Sequence, residues 1–199
     1  MGRAFKALML AAAILVTSMT ASLTQDLNKG LAAAQSGDYA TALREWRPLA
    51  EQGNAGAQYN VGVMYDNGQG VPQNYKAAIK WYRMSAEQGN MFAQYNLGNK
   101  YYHGKGITQD YKEAVSWYRK AAEQGNVGAQ NNLGVMYGRG EGVLQDFVIA
   151  HMWWNIAASN GHADAVKARD LVAKQMTAAD ISKAQELARE CVQKNYKGC

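Results

Sequence analysis

The segment AEQGN occurs three times in the chain, at residues 50–54, 86–90 and 122–126. Each copy begins 36 residues after the one before it. A fixed spacing of this length is typical of a repeated structural unit, whereas catalytic residues are usually single and scattered along a chain. The sequence therefore predicts a repeat protein, and the repeated unit has to be defined before a function is assigned.

Each repeat contains two helix-forming stretches joined by a loop of the form G-x-G. In the first stretch, Ala57, Val61 and Tyr65 are four residues apart, which places them on one face of a helix. In the second stretch, Ala78 and Trp81 have the three-residue spacing of a helix face. Because a single helical hairpin cannot bury such faces alone, the pattern predicts an all-α fold of stacked hairpins.

The two residues that end each AEQGN segment predict a helix stop followed by a helix start. Glycine, as in Gly53, tolerates the left-handed backbone that ends many helices, and Asn54 can then cap the next helix. A second glycine interrupts the first helix of each repeat, at Gly62, Gly98 and Gly134. Each costs about 1 kcal/mol relative to alanine. The return of this glycine in every copy predicts that two helices approach closely at this position.

The repeated motifs resemble one known family. The runs A-x-A-Q-x-N-L-G-x-M-Y, G-x-G-V and Y-x-x-A-x-x-W-Y-x-x-A-A-E-Q-G-N are similar to the Sel1-like repeat family, a relative of the tetratricopeptide repeat, over residues 54–161. The resemblance implies a right-handed α-α superhelix, or solenoid, of two-helix repeats of 36 residues with a C-terminal capping helix. It also implies an adaptor or scaffold that binds a protein or peptide partner, with no cofactor.

Two other functions remain open at this stage. One is a structural subunit of an envelope assembly associated with polysaccharide or peptidoglycan. The other is a β-lactam-binding or β-lactam-hydrolysing enzyme, as in some cysteine-rich members of the family. Those members carry a cysteine pair in each repeat, and the repeats of this chain contain no cysteine. We therefore expect a binding module and not an enzyme.

The chain is expected to divide into a leader, three full repeats and two terminal parts. The helix beginning at Ala178 is the expected C-terminal cap over the last exposed apolar face. The expected parts are 1–23 (signal peptide), 24–53 (a degenerate N-terminal hairpin), 54–89, 90–125 and 126–161 (the repeats), and 162–199 (capping helices and tail).

The first 23 residues predict export. Arg3 and Lys6 precede an apolar run from Ala7 to Val16, and small or hydroxyl residues follow. This is the pattern of a cleaved secretory signal peptide; an uncleaved anchor is the alternative. Export would place the protein in the periplasm or outside the cell. Cleavage would lower the net charge from +5 to +3 (5 − 2), and a small, interspersed charge gives no reason to expect a nucleic-acid partner.

The chemistry-bearing residues are few. Cys191 and Cys199 are the two cysteines, and in an exported protein they form either a disulfide or two unpaired thiols. No histidine stands at metal-ligand spacing from them, so no metal site is expected. The three histidines, His103, His151 and His162, lie in no nucleophile motif, so no catalytic residues are assigned.

The resemblance places the first helix of each repeat on the concave side of the superhelix. On a helical wheel, the arc opposite the core positions carries tyrosine, asparagine and small apolar residues, which suit a recognition surface. We expect a partner segment to bind there; ordinary solvated surface is the alternative. The candidate partner-binding residues are Tyr59, Asn60, Val63, Asp66, Tyr95, Asn96, Asn99, Tyr102, Asn131, Asn132 and Val135. The sequence predicts no transmembrane segment after cleavage, and the chain is expected to be a monomer.

Overall fold

The structure, a computed structural model, describes residues 26–199. The expected signal peptide lies outside the described residues. Over residues 26–199 the chain forms ten helices and no strand, and none of these helices is long and apolar enough to cross a membrane. The helices are 26–35 (α1), Tyr39–Glu51 (α2), Ala55–Asn67 (α3), Tyr75–Glu87 (α4), Met91–His103 (α5), Tyr111–Ala122 (α6), Val127–Arg139 (α7), Phe147–Ser159 (α8), Ala163–Ala173 (α9) and Ala178–Gln193 (α10).

The chain forms two compact units, and the boundary between Ala78 and Ile79 falls inside α4. In the first unit, α2 packs against α3. In the second unit, α5 packs against α6, α6 against α7, α7 against α8, and α8 against both α9 and α10. Each helix of the second unit therefore contacts mainly its neighbours in sequence, which is the packing of a repeat protein.

The predicted helix stops and starts are confirmed. Gly53, Gly89 and Gly125 have positive φ angles of 94°, 92° and 87°. The side chain of the asparagine that follows each glycine accepts a backbone hydrogen bond in the first turn of the next helix, as Asn54 does from the Ala57 N–H at 2.9 Å. AEQGN is thus the connection between one hairpin and the next.

The predicted close approach of two helices is confirmed in the second unit. A Cβ added to Gly98 would lie 2.6 Å from Cδ1 of Tyr118, and a Cβ added to Gly134 would lie 2.6 Å from Cδ1 of Trp154. Both distances are shorter than any normal contact. An aromatic ring of the second helix in each hairpin therefore lies directly on the glycine of the first helix.

Two further contacts recur every 36 residues. A buried glutamine donates to the carbonyl at the end of the preceding helix, as Gln94 Nε2 does to Ala86 O at 3.1 Å. An arginine of the second helix donates to a tyrosine hydroxyl of the next first helix, as Arg83 Nη2 does to Tyr101 at 2.7 Å. The complete sets are Gln58, Gln94 and Gln130, and the pairs Arg47–Tyr65, Arg83–Tyr101 and Arg119–Tyr137.

The C-terminal end departs from the repeat pattern. Thr177 caps α10 as the sequence predicts, and small residues of α10 such as Ala184 and Ala188 are buried. Because α10 packs against α8, the outer face of α9 is left open, and Leu171 is 63% exposed. The expectation that α10 covers the last apolar face therefore fails for α9.

Candidate functional site

The expected binding residues occupy the first helices α3, α5 and α7, and all of them are half-buried. Half-burial leaves each side chain with one side against the protein and another toward solvent. The four on α3 belong to the first unit, and the seven on α5 and α7 belong to the second. The two sets belong to separate units, and the seven in the second unit form one set on two first helices.

Asn99 of α5 and Asn132 of α7 meet at a buried hydroxyl, that of Tyr118 in α6. The Tyr118 hydroxyl donates to Asn99 Oδ1 at 2.7 Å, and Asn132 Nδ2 donates to the same oxygen at 3.3 Å. Tyr118 is only 1% exposed, and its burial raises the pKa of its hydroxyl well above the ordinary value. Asn99 therefore satisfies a buried hydroxyl, so part of its role is structural.

Tyr102 lies at the C-terminal end of α5, where its hydroxyl accepts a hydrogen bond from Arg139 Nη1 at 3.1 Å. Arg139 Nη1 also lies 3.8 Å from Glu141 Oε1, and the Arg139 side chain is 62% exposed. Burial, followed by the hydrogen bond with Glu141, raises the pKa of Tyr102.

Two cavities open on the first-helix side of the second unit. The first has a volume of about 240 Å³ and the second about 450 Å³. The lining residues of the first are Tyr102, His103, Tyr118, Asn132, Val135, Met136 and Arg139. The lining residues of the second are Val135, Gly138, Arg139, Gln145, Phe147, Trp154, Ala168, Leu171, Val172 and Gln175. Because Val135 and Arg139 line both, we treat the two cavities as one surface, the first-helix groove.

The two cavities occupy the same position in consecutive repeats. Adding 36 to the number of each residue that lines the first cavity gives a residue that lines the second. The corresponding pairs are Tyr102 and Gly138, His103 and Arg139, Tyr118 and Trp154, Asn132 and Ala168, Val135 and Leu171, Met136 and Val172, and Arg139 and Gln175. The groove is therefore a product of the repeat, with different side chains in its two halves.

Several expected residues lie outside these cavities. The Tyr95 ring stands beside Gly128, and a Cβ added to that glycine would lie 3.0 Å from Cε2 of Tyr95. The centre of the Tyr95 ring is 6.1 Å from the centre of the Tyr118 ring. Asn131 Nδ2 is 3.4 Å from Asn132 Oδ1. Of the expected residues, Tyr102, Asn132 and Val135 line the cavities, while Tyr95, Asn96 and Asn131 lie on the same helices outside them. Asn99 lines neither cavity but is hydrogen-bonded to Asn132 and Tyr118, which line the first.

The sequence interpretation missed the C-terminal half of the groove. It assigned residues 162–199 to capping helices and a tail and placed no binding residue beyond Val135. Continuing the 36-residue register would have pointed to Ala168 and Leu171. It also missed Arg139, whose equivalents in the other repeats are His103 and Asn67 and which therefore looks like an ordinary loop variant.

The described residues offer little catalytic chemistry. Residues 26–199 contain no group of three or more His, Cys, Asp or Glu side chains that could hold a metal ion. His151 is buried in α8, where burial and then the Arg169 cation lower its pKa, and its Nδ1 has no hydrogen-bond partner. His162 caps α9 in place of the usual asparagine, its Nδ1 accepting from the Ala165 N–H at 3.3 Å.

The two cysteines are joined. Cys191 and Cys199 form a disulfide that links the end of α10 to the C-terminal residue, with their Cα atoms 5.7 Å apart. Between them, Tyr196 turns back, and its ring lies 3.6 Å from the position of a Cβ at Gly125. Asn160 Nδ2 donates to the Tyr196 hydroxyl at 3.3 Å. The tail is thereby fixed against the α6–α7 connection.

Stacked two-helix repeats with an open surface on their first helices define a class of protein, the α-solenoid interaction scaffolds. Residues 55–90, 92–126 and 127–162 match the Sel1 repeat family. These stretches cover more than half of the chain, and the protein belongs to that family. No curated protein matches the chain significantly.

Two solved structures are similar to this chain. One is a protective antigen present in uropathogenic Escherichia coli strains, which displays an SLR fold; it is 30% identical with a TM-score of 0.63, and the match covers 87% of this chain and 46% of the antigen. The other is a Sel1 repeat protein from Oxalobacter formigenes, 32% identical with a TM-score of 0.71, covering 84% of this chain and 69% of that one. The chain thus spans less than half of the antigen.

Proposed function

We propose that this protein is an exported adaptor whose first-helix groove binds an extended segment of a partner protein. The observation that carries the proposal is the pair of cavities at equivalent positions of consecutive repeats, joined at Val135 and Arg139. Sel1 repeats are a protein-interaction scaffold type, and in solenoids the surface formed by successive repeats is the usual binding site. No catalytic role is needed to account for the groove.

The spacing of the cavities suits an extended chain. Val135 and Arg139 line both cavities, so the two cavities are adjacent. An extended peptide advances about 3.3 Å per residue, so a segment of a few residues crosses the boundary that the cavities share. A single short segment can therefore place one side chain in each half of the groove.

Export is supported by two features. The leader predicted at 1–23 directs secretion, and disulfides such as Cys191–Cys199 persist in oxidising compartments. Intact-mass measurement on protein from its own cells tests this directly. We expect a chain that lacks the leader and has both cysteines oxidised; a full-length chain with two free thiols would overturn the export proposal.

Site-specific crosslinking tests the binding site. A photoreactive amino acid at position 171, which lines the groove, is compared with the same amino acid at position 144, where leucine is 91% exposed and outside the groove. Both sites are exposed leucines, so the comparison controls for surface apolarity. In the producing cells we expect a discrete crosslinked partner from position 171 and none from position 144.

A filled groove provides the second arm of this experiment. Ala168 is half-buried and lines the second cavity, so Ala168→Arg places a long side chain in it. We expect the crosslink from position 171 to disappear while the circular dichroism spectrum stays unchanged. Equal crosslinking from positions 171 and 144, or crosslinking that survives Ala168→Arg, would contradict the proposed site.

A further inference from the structure

We infer that the first-helix groove selects a peptide segment in which a bulky apolar side chain and a carboxylate lie one or two residues apart. This inference rests on the proposed function and specifies the chemistry of the partner. The apolar side chain enters the second cavity, and the carboxylate lies beside Arg139 at the boundary between the cavities. Both assignments follow from differences between equivalent positions of the two repeats.

The second cavity is opened by the loss of two side chains. Where the first cavity has Tyr102 and Asn132, the second has Gly138 and Ala168. Smaller residues at these positions leave about 450 Å³ in place of about 240 Å³. Gly138 is also where the Trp154 ring packs, since an added Cβ there would lie 2.9 Å from its Cη2. The space is therefore bounded by helix backbone and an aromatic ring.

The lining of the second cavity is mainly apolar. Leu171 is 63% exposed, while Trp154 and Val172 are buried and belong to one hydrophobic cluster with half-buried Phe147 packed against it. An aromatic or large aliphatic side chain entering this space removes its own apolar surface and that of Leu171 from water. A ring additionally gains an edge or offset contact with an aromatic side chain.

Charge complementarity decides what accompanies the apolar side chain. Arg139 is the one residue with a full positive charge among those that line the cavities, and neither cavity is lined by a carboxylate. Its guanidinium has five N–H groups; one donates to Tyr102, and Nη1 also forms an ion pair with Glu141 Oε1 at 3.8 Å, so an incoming carboxylate shares the Arg139 charge with Glu141. The remaining donors of a side chain that is 62% exposed are available to an incoming carboxylate.

The position of Arg139 limits the spacing of the two groups. Arg139 directly follows Gly138 and lines the same cavity as Trp154 and Leu171. One or two residues of extended chain span about 3–7 Å, which is the reach available beside a single cavity. A carboxylate farther along the segment would pass beyond the boundary between the two repeats.

Three capped pentapeptides test this chemistry by methyl NMR titration of the full chain. The probes are Ser-Asp-Gly-Phe-Ser, Ser-Asn-Gly-Phe-Ser and Ser-Asp-Gly-Ala-Ser, each acetylated and amidated. We expect the first to shift the Leu171 and Val135 methyl signals. Replacing its Phe with Ala is expected to weaken binding about tenfold or more. Replacing its Asp with Asn is expected to weaken binding about two- to fivefold, a preference that salt removes.

Matched variants locate the binding. Leu171→Asn should abolish the preference for Phe, whereas Leu144→Asn should leave it unchanged. Arg139→Gln should abolish the preference for Asp, whereas Arg44→Gln, at a side chain that is 71% exposed in the first unit, should not. Because all four sites are exposed or half-exposed, the variants are expected to fold, and their methyl spectra check this.

Each contrary outcome has a defined meaning. Equal affinity for the Asp and Asn peptides overturns the carboxylate assignment, and equal affinity for the Phe and Ala peptides overturns the apolar one. Concentration-dependent shifts at Leu171 without peptide would identify a second copy of the chain as the occupant and overturn the inference. If no peptide binds while position 171 still crosslinks a partner in cells, the inference fails and the proposed function stands.

Discussion

The cavity around Tyr118 and the cavity around Trp154 share the same packing of a second helix on a first helix, here called the repeat frame, but their lining residues differ in chemistry. In both, an aromatic ring of the second helix lies on a glycine of the first helix, Gly98 or Gly134. The first ring ends in a hydroxyl paired with Asn99, while the second is a Trp next to Val135, the equivalent of Asn99. The repeat thus preserves the packing of its helices, and the residues that vary on that packing give the two cavities their different chemistry.

The largest expected effect comes from adding a methyl group at the two glycines. Gly98→Ala and Gly134→Ala each place a Cβ 2.6 Å from a ring carbon, and overpacking of this kind costs about 1–3 kcal/mol. Gly98→Ala should cost more, since displacing Tyr118 also strains its hydrogen bond to Asn99. Urea unfolding measures both losses.

Gly56→Ala is the control for the glycine variants. Its added Cβ would meet Asn54 Oδ1 at 3.4 Å, an ordinary contact, so the substitution should be neutral or stabilising through helix propensity. A Gly134→Ala variant as stable as the parent would show that Trp154 moves freely. The claim that this ring packs tightly on Gly134 would then be wrong.

The hydrogen bond between Tyr118, which lines the first cavity, and Asn99 gives the next effect. Asn99→Ala leaves the buried Tyr118 hydroxyl without its acceptor. An unsatisfied buried group generally costs about 1–3 kcal/mol, and we expect this variant to lose about 1–2 kcal/mol of unfolding free energy. Tyr118→Phe removes both the donor and the need for the acceptor, so it should cost less. A double-mutant cycle on unfolding free energies measures the coupling; a coupling near zero would mean that the bond contributes nothing.

The pH dependence of stability is expected to depend on His151, which is buried in α8. Burial lowers the pKa of His151 in the folded protein, so the unfolded chain binds more protons below about pH 6.5. The unfolding free energy should therefore fall as the pH is lowered from 7 to 5. His151→Gln should reduce that fall. An identical pH profile for the parent and the variant would contradict this.

The smallest expected effect is at the open end of the groove. Leu171→Asn should change the unfolding free energy by no more than about 0.5 kcal/mol, because Leu171 is 63% exposed. Its equivalent in the first cavity, Val135, is half-buried against the hydrophobic cluster, so Val135→Asn should cost more. Thermal unfolding of the two variants makes the comparison, and a large loss from Leu171→Asn would mean that this face is structural.

The sequence predicted the frame well because the frame recurs. The asparagine caps, the positive-φ glycines and the close approach at Gly98 follow from residues that appear in every copy, and the structure confirms them. The Arg83–Tyr101 hydrogen bond recurs as well, but nothing in a sequence shows that two residues 18 apart on different helices meet. Predicting a contact between two helices requires the angle at which they pack, and the sequence does not give that angle.

The groove was predicted only in part, for a physical reason. Tyr102, Asn132 and Val135 line the cavities and were chosen because tyrosine, asparagine and small apolar residues suit recognition, and the same reasoning passed over Leu171. A sequence does not show that Leu171 is exposed, because its burial depends on whether α10 packs against α8 or against α9. In the structure α10 packs against α8, and Leu171 stays exposed beside the second cavity.

A crystal structure of the protein with a partner segment identified through position 171 tests the central claim most directly. The account predicts an extended segment that crosses α7, with an apolar side chain against Trp154 and a carboxylate beside Arg139. A segment bound elsewhere, with both cavities empty, would contradict it.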